Sequence, residues 1–233
     1  VTGLLRRAAA EFIGTAFLVA AVVGSGVMAA RLSPDDVGLQ LLQNSLATGA
    51  ALVALIVALQ PVSASFNPVV TLVERALGMV DTRTTVALIA AQFAGGLAGT
   101  VVANLMFDLP AASLSTHERT GTGLWLGEVV ATIGLLLVVF GTVRSGRADR
   151  VAFAVGGYIA AGYWFTSSTS FANPAVTVAR TITDTFSGIA LASAPGFILA
   201  QLAGGAAGFF LVRFLYPSLA TSADLAADRK VLS

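Results

Sequence analysis

Asn67-Pro68-Val69-Val70-Thr71 and Asn173-Pro174-Ala175-Val176-Thr177 are one short signal written twice. Each copy closes a long charge-free stretch, residues 37–73 and 151–179. A membrane span needs about 20 apolar residues, so each stretch holds one crossing (about 38–60 and 151–168) and an apolar remainder. Asparagine is a good helix cap, and proline at the first helical position loses no hydrogen bond. Each remainder therefore starts a helix of about ten residues, roughly 15 Å, or half the hydrocarbon thickness. The segments just before them, Val62-Ser63-Ala64-Ser65-Phe66 and Thr169-Ser170-Phe171-Ala172, become non-helical backbone at membrane depth. Such backbone is tolerated only where protein covers it or where it lines a wet cavity.

Composition agrees with this reading. Of 233 residues, 56% are hydrophobic and 11% charged, against roughly half and about a quarter in soluble domains. Mean hydropathy is +0.87. Too few charged side chains are present to cover a water-facing surface, which excludes an ordinary soluble enzyme. A net charge of +1 gives no footing for nucleic acid. With no cysteine and one histidine, His117, the chain has no thiol chemistry, no disulfide and no histidine metal cluster. No cofactor is expected.

Residues 12–30, 84–107 and 185–212 are also free of Asp, Glu, Lys and Arg, and 120–143 contains only Glu128. Together these stretches give six spans and two segments too short to cross. With the N-terminus cytoplasmic, ten basic residues fall inside (Arg6, Arg7, Arg75, Arg83, Arg144, Arg147, Arg150, Arg213, Arg229, Lys230) and three outside (Arg31, Arg119, Arg180). That bias places both termini in the cytoplasm. The first span reads as a retained helix, and residues 218–233 as a short polar cytoplasmic tail.

The duplication extends beyond the Asn-Pro motifs. Ala91-Gln92-Phe93-Ala94-Gly95-Gly96-Leu97-Ala98-Gly99 recurs as Ala200-Gln201-Leu202-Ala203-Gly204-Gly205-Ala206-Ala207-Gly208. Glu11-Phe12-Ile13-Gly14-Thr15 has a looser echo in Glu128-Val129-Val130-Ala131-Thr132. Three spans per copy is odd, so the second copy enters the membrane from the opposite face. The expected fold is all-α and integral to the membrane, with six transmembrane helices and two re-entrant half-helices in an inverted 3+3 repeat. The repeats cover about 8–110 and 121–217 of one channel domain, residues 1–217. Paired interrupted segments in such a repeat point to the transport path.

Two half-helix N-termini facing each other place positive potential at the centre. Asn67 and Asn173 would offer NH2 donors to the lumen while their oxygens cap the half-helices. Water or a neutral polyol accepts such bonds, a cation meets a barrier, and a proton must break the water wire. Glu11 and Glu128 are the acids within the apolar spans. Because burying a carboxylate is costly, each is read as accepting N–H bonds from a re-entrant loop, with proton coupling as the alternative.

On Glu11-Phe-Ile-Gly-Thr, the two Asn-Pro motifs, Ala91-Gln92, Glu128 and Ala200-Gln201, the chain resembles the aquaporin and aquaglyceroporin (major intrinsic protein) family over about residues 8–217. The resemblance implies six spans, two half-helices closing a pore, and four pores per homotetramer in the inner (plasma) membrane. It also implies that Asn67 and Asn173 mark the central constriction and that Glu11 and Glu128 support the loops. The first motif departs from Asn-Pro-Ala by placing Val69 beside that constriction. The family's spacing carries its outer selectivity filter onto Ala47, Ala161, Ser170 and Val176. An insertion between Ala161 and Asn173 would bring Tyr163 or Trp164 to the lining instead. None of the four is an aromatic, a histidine or the family's arginine, and Arg180 is expected higher in the mouth. This wide, weakly polar ring is similar to that of bacterial channels associated with arsenic resistance. It implies conduction of arsenite, antimonite and small polyols such as glycerol, with ordinary water–glycerol selectivity as the alternative.

A secondary transporter would need a charged coupling site, and none stands out. A membrane enzyme would need converging catalytic groups, yet Ser63, Ser65, Ser168 and Ser170 have no His or Lys partner. No catalytic residue is assigned. A structural or adhesion protein would leave the duplicated polar loops without a purpose.

Overall fold

The computed structural model describes residues 3–217, and the expected tail, with Arg229 and Lys230, lies outside them. The described residues form eight α-helices and no strand: α1 Leu4–Leu32, α2 Val37–Leu59, α3 Pro68–Ala76, α4 Thr82–Met106, α5 Thr122–Arg144, α6 Val151–Phe165, α7 Pro174–Ala179 and α8 Ala194–Leu215. Helices α1, α2, α4, α5 and α8 have 22 to 29 residues and are apolar enough to cross a membrane. The sixth span, α6, has only 15 residues and is led in by a 3-10 turn at Ala148–Arg150. It stops short of the expected 168 because Thr166 turns to extended backbone, where its hydroxyl donates to the Gly162 carbonyl at 2.7 Å.

Local chemistry sets the other boundaries. Asp36 caps α2 by accepting from Leu39 N at 2.8 Å, and Asp81 caps α4 by accepting from Thr84 N at 2.8 Å. Asn67 and Asn173 cap the half-helices α3 and α7, each followed by proline at the first helical position. The first half-helix has nine residues, close to the expected ten. The second has six and tightens into a 3-10 turn, Arg180–Ile182.

The two repeats are built alike. In the first, α1 packs on α2 and α4; in the second, α5 packs on α6 and α8. Across the middle α2 meets α6, while α3 and α7 touch near their starts. Glycine makes the tightest of these contacts possible. A Cβ at Gly95 or Gly99 of α4 would run into the Phe12 or Ala16 carbonyl of α1, and one at Gly204 of α8 would lie 2.7 Å from the Val129 carbonyl of α5. The small-residue spacing in the repeated motif thus serves backbone-to-backbone approach between helices.

Residues 107–121 and 181–193, which lie outside the α-helices, are laced together over one end of the bundle. Ser113 N and Ser115 N donate to the Ile182 and Thr181 carbonyls at 3.0 and 2.9 Å, and Ala190 N donates to the His117 carbonyl at 2.7 Å. Asp184 accepts from Thr116 N and Oγ at 2.9 and 3.0 Å. These bonds, the backbone N–H first, hold the Asp184 carboxyl below the usual carboxylate range, with a smaller contribution from nearby His117.

Two outcomes are expected. Replacing Gly95 or Gly99 by Val forces backbone apart, so thermal unfolding in detergent should show a loss of about 1–3 kcal/mol or more. Gly123→Ala, where the added Cβ meets nothing within 4 Å, is the control and should unfold no more readily than the parent. For Asp184 the folded pKa is depressed, so its contribution is present above the unfolded value of about 3.9 and fades as pH falls through the folded one. The destabilisation caused by Asp184→Asn should therefore be larger at neutral pH than at about pH 3.

Candidate functional site

Glu11 and Glu128 are fully buried, at 0% exposure. Glu11 Oε1 accepts from Ser63 Oγ at 2.6 Å and Ser65 N at 2.8 Å; its Oε2 accepts from Phe66 N at 2.7 Å and Gln92 Nε2 at 2.8 Å. Glu128 repeats the arrangement in the second half, accepting from Phe171 N at 2.9 Å, Ala172 N at 2.8 Å and Gln201 Nε2 at 2.6 Å. Each glutamine also donates to the threonine of its half-helix motif, Gln92 to Thr71 and Gln201 to Thr177, both at 2.9 Å. The repeated Glu, Ala-Gln and Asn-Pro-x-Val-Thr motifs thus meet as one network per half. Both glutamines and both threonines are visible in the sequence as members of the repeat, but the carboxylates they serve lie on other helices, so this role is not.

The clamp holds backbone in a conformation that non-glycine residues avoid. Phe66 and Ala172, each the residue before a motif asparagine, both have φ of +48°. Left-handed backbone at such residues costs on the order of 1–3 kcal/mol and persists where its surroundings over-determine it. Here the N–H of each left-handed residue is fixed by a carboxylate, and its carbonyl is fixed from the other half. Asn67 Nδ2 donates to the Ala172 carbonyl and Asn173 Nδ2 to the Phe66 carbonyl, both at 2.7 Å. Meanwhile Asn67 Oδ1 accepts from Val69 N at 2.9 Å, and Asn173 Oδ1 from Ala175 N at 3.0 Å and Val176 N at 3.3 Å. Each amide carries two N–H hydrogens. One is spent across the halves, a refinement of the expectation that both face the lumen, and one remains to face it.

Both asparagines line a cavity of about 750 Å³ that runs from Arg7, Gln60 and Glu74 at one end to Val176 and Arg180 at the other. Four helices build its apolar wall from every fourth residue: Leu18 and Val22 of α1; Thr48, Leu52 and Ile56 of α2; Leu135, Val139 and Val143 of α5; Val151, Val155, Ile159 and Tyr163 of α6. A spacing of four keeps side chains on one helix face. Much of the remaining wall comes from the re-entrant loops, residues 62–66 and Ser170-Phe171, and from the half-helices through Val70, Glu74 and Val176. One side is therefore greasy and the other carries amide donors, as expected for a path that admits polar but uncharged molecules.

Of the four filter positions counted from the sequence, the wall contains Ser170 and Val176. On α2 and α6 the wall residues are Thr48 and Tyr163 rather than Ala47 and Ala161. The physical reason is helix phase. Ala161 sits two residues from the Ile159–Tyr163 face and is exposed on the outside of the bundle, while Ala47 precedes the Thr48–Leu52–Ile56 stripe by one. Tyr163 Oη and Thr48 Oγ1 lie 3.2 Å apart in a shared hydrogen bond. Ser170 turns its hydroxyl toward Gly162 of α6, where it has no hydrogen-bond partner. Val69, the departure from Asn-Pro-Ala, is not on the wall; a Cβ at Gly205 of α8 would lie 2.6 Å from its Cγ1. Its extra methyls fill helix packing and leave the lumen unchanged. Among the described residues no group of three or more His, Cys, Asp or Glu could hold a metal ion.

Residues 2–170 match the family model described as major intrinsic protein. The chain is 50% identical over 213 residues to aquaglyceroporin AqpS of Rhizobium meliloti (strain 1021), covering 91% of each. It is 35% identical over 161 residues to aquaporin A of Dictyostelium discoideum, covering 63% of this chain and 56% of the other. Among solved structures, the aquaglyceroporin from Plasmodium falciparum superposes with a TM-score of 0.71 at 19% identity, covering 93% of this chain and 99% of that one.

Removing either glutamate orphans several buried donors, at about 1–3 kcal/mol each. Glu11→Ala and Glu128→Ala should lower the thermal stability and yield of folded protein in detergent. A variant that stays fully stable but loses a proton-dependent flux would show that the carboxylate works in proton coupling instead.

Proposed function

Because the chain belongs to the major intrinsic protein family, we propose that it is a passive channel for small uncharged solutes, in which arsenite, antimonite and small polyols such as glycerol pass between Asn67 and Asn173. The observation that carries this reading is the wall of the cavity: four apolar stripes face two amide donors, and Val176 stands where the family's filter arginine is counted. Arsenite and antimonite are neutral polyhydroxyls at neutral pH, close in size to glycerol. Their hydroxyls suit the asparagine donors and their remaining faces suit valine and leucine. The outer aperture is assigned to Thr48, Tyr163, Ser170 and Val176.

Ordinary water–glycerol conduction is the second reading. It is favoured by Tyr163, an aromatic side chain on the wall where the sequence count had an alanine. The ten-to-three bias of basic residues supports cytoplasmic termini. The inner (plasma) membrane and a homotetramer with one pore per subunit are carried over from the family resemblance.

The test is stopped-flow light scattering and solute uptake in proteoliposomes for water, glycerol and arsenite. Native protein should pass all three. Val176→Arg adds bulk and N–H donors to the aperture, so glycerol and arsenite fluxes should fall about tenfold, equivalent to about 1.4 kcal/mol, while water still passes. Tyr163→Ala should raise the arsenite-to-water ratio. A native protein that conducts water alone would refute the wide aperture, and unchanged fluxes in both variants would remove these residues from the limiting section.

A further inference from the structure

We propose that Arg180 is the cation barrier and outer specificity residue of this channel, its charge carried one helical turn beyond the Val176 position and held at the lumen by stacking over Phe171. The proposal rests on the channel reading above and says which side chain keeps such a channel closed to ions.

The inverted repeat identifies the position. Arg180 is the seventh residue after Asn173, and Glu74 is the seventh after Asn67; both line the cavity, at opposite ends. Each is anchored to the residue two before its own asparagine. Glu74 accepts from Ser65 Oγ at 3.1 and 3.0 Å, and the Arg180 guanidinium stacks over the Phe171 ring, 3.5 Å from its centroid. The seventh position is thus a lumen position in both halves, and the second half puts a guanidinium there.

The mounting of Arg180 is stiff. Its side chain is 3% exposed, and its Nε–H donates to the Ser187 carbonyl. Ser187 is itself fixed by donating to the Val22 carbonyl at 2.9 Å. The neighbouring carbonyls of Phe186 and Gly188 hold Arg119, whose guanidinium also faces the Phe171 ring, 5.3 Å from its centroid, but which does not line the cavity. Neither arginine forms an ion pair among the described residues. Glu128, the nearest buried acid of this half, is saturated by its own donors behind the loop. A guanidinium is always charged and presents five N–H donors. With one held by Ser187, the rest are available to a passing hydroxyl, while an alkali ion or hydronium meets a fixed positive charge that no ion pair neutralises. Because the charge enters one turn away, the aperture at Val176 stays wide. Selection by size and selection by charge, combined elsewhere in one side chain, are here separated along the path.

The experiment measures potassium and proton leak in proteoliposomes against stopped-flow glycerol flux, for native protein, Arg180→Gln, Arg180→Lys and the double variant Val176→Arg/Arg180→Gln. The ratio of cation to glycerol permeability should rise about tenfold in Arg180→Gln, a change of about 1.4 kcal/mol. It should stay near native in Arg180→Lys, which keeps the charge, and return toward native in the double variant. A tight Arg180→Gln, a Lys variant that leaks as much as Gln, or a double variant that still leaks would each overturn the proposal. Should Arg180→Gln not fold, Phe171→Leu decides, because it removes the ring that holds the guanidinium: a raised ratio supports the barrier and a native ratio overturns it. A native protein that passes no neutral solute would instead sink the channel reading itself.

Discussion

Backbone that is not helical cannot sit in hydrocarbon without partners for its N–H and C=O groups, and the two halves of this chain carry such backbone to the middle of the bundle. Everything else follows from how that requirement is met. Two buried carboxylates take the loop N–H groups, two asparagine amides take the loop carbonyls, and two glutamines tie each carboxylate to the half-helix that the loop feeds. A carboxylate in lipid is expensive alone. Surrounded by three or four donors, it becomes the group that satisfies them. The same clamp maintains left-handed backbone at Phe66 and Ala172, which turns each carbonyl toward the opposite asparagine.

This division of labour explains the character of the cavity. Its polar side is made of loops and caps, whose hydrogen-bonding groups are mostly committed to protein. Its apolar side is made of side chains four apart on α1, α2, α5 and α6. A solute therefore meets few donors and much grease, which admits neutral molecules and gives ions little to replace their hydration. Charge enters only near the ends, through Arg7, Glu74 and Arg144 at one and Arg180 at the other.

The fold was legible because duplication and charge clustering are strong, additive signals. Two Asn-Pro caps inside overlong apolar stretches leave few arrangements that satisfy their backbone. The wall was much less legible. Helix α6 is apolar nearly all round, so hydropathy cannot say which of its faces turns inward, and a fixed residue count placed Ala161 where Tyr163 stands. Helix α2 carries a buried polar row, Gln40, Asn44 and Thr48, that marks its inner face, and the same count passed over it for Ala47. The spacing Val151-Val155-Ile159-Tyr163 was visible in the sequence, but it is one of several apolar rows on the same helix. The length of α7 is hidden for a similar reason. Nothing in Ala-Val-Thr-Val-Ala-Arg marks where an α turn tightens into a 3-10 turn, which depends on the loop it meets. Val69 looked like an intrusion beside the constriction because its complement, Gly205, lies far along the chain.

The exchange of hydrogen bonds between Asn67 and Ala172, and between Asn173 and Phe66, also bears on how the protein is made. Chains emerge from the ribosome N-terminus first. When α4 has just been synthesised, the first re-entrant loop has its carboxylate clamp but no partner for the Phe66 carbonyl or the Asn67 amide. Those groups must stay wet or be shielded by the insertion machinery while the chain is extended from Met106 to Asn173, about 3–13 seconds at typical elongation rates. The first half therefore cannot satisfy its own loop. The arrival of the second Asn-Pro motif supplies both missing partners, and α8, made last, then brings Gln201 to Glu128 and Thr177.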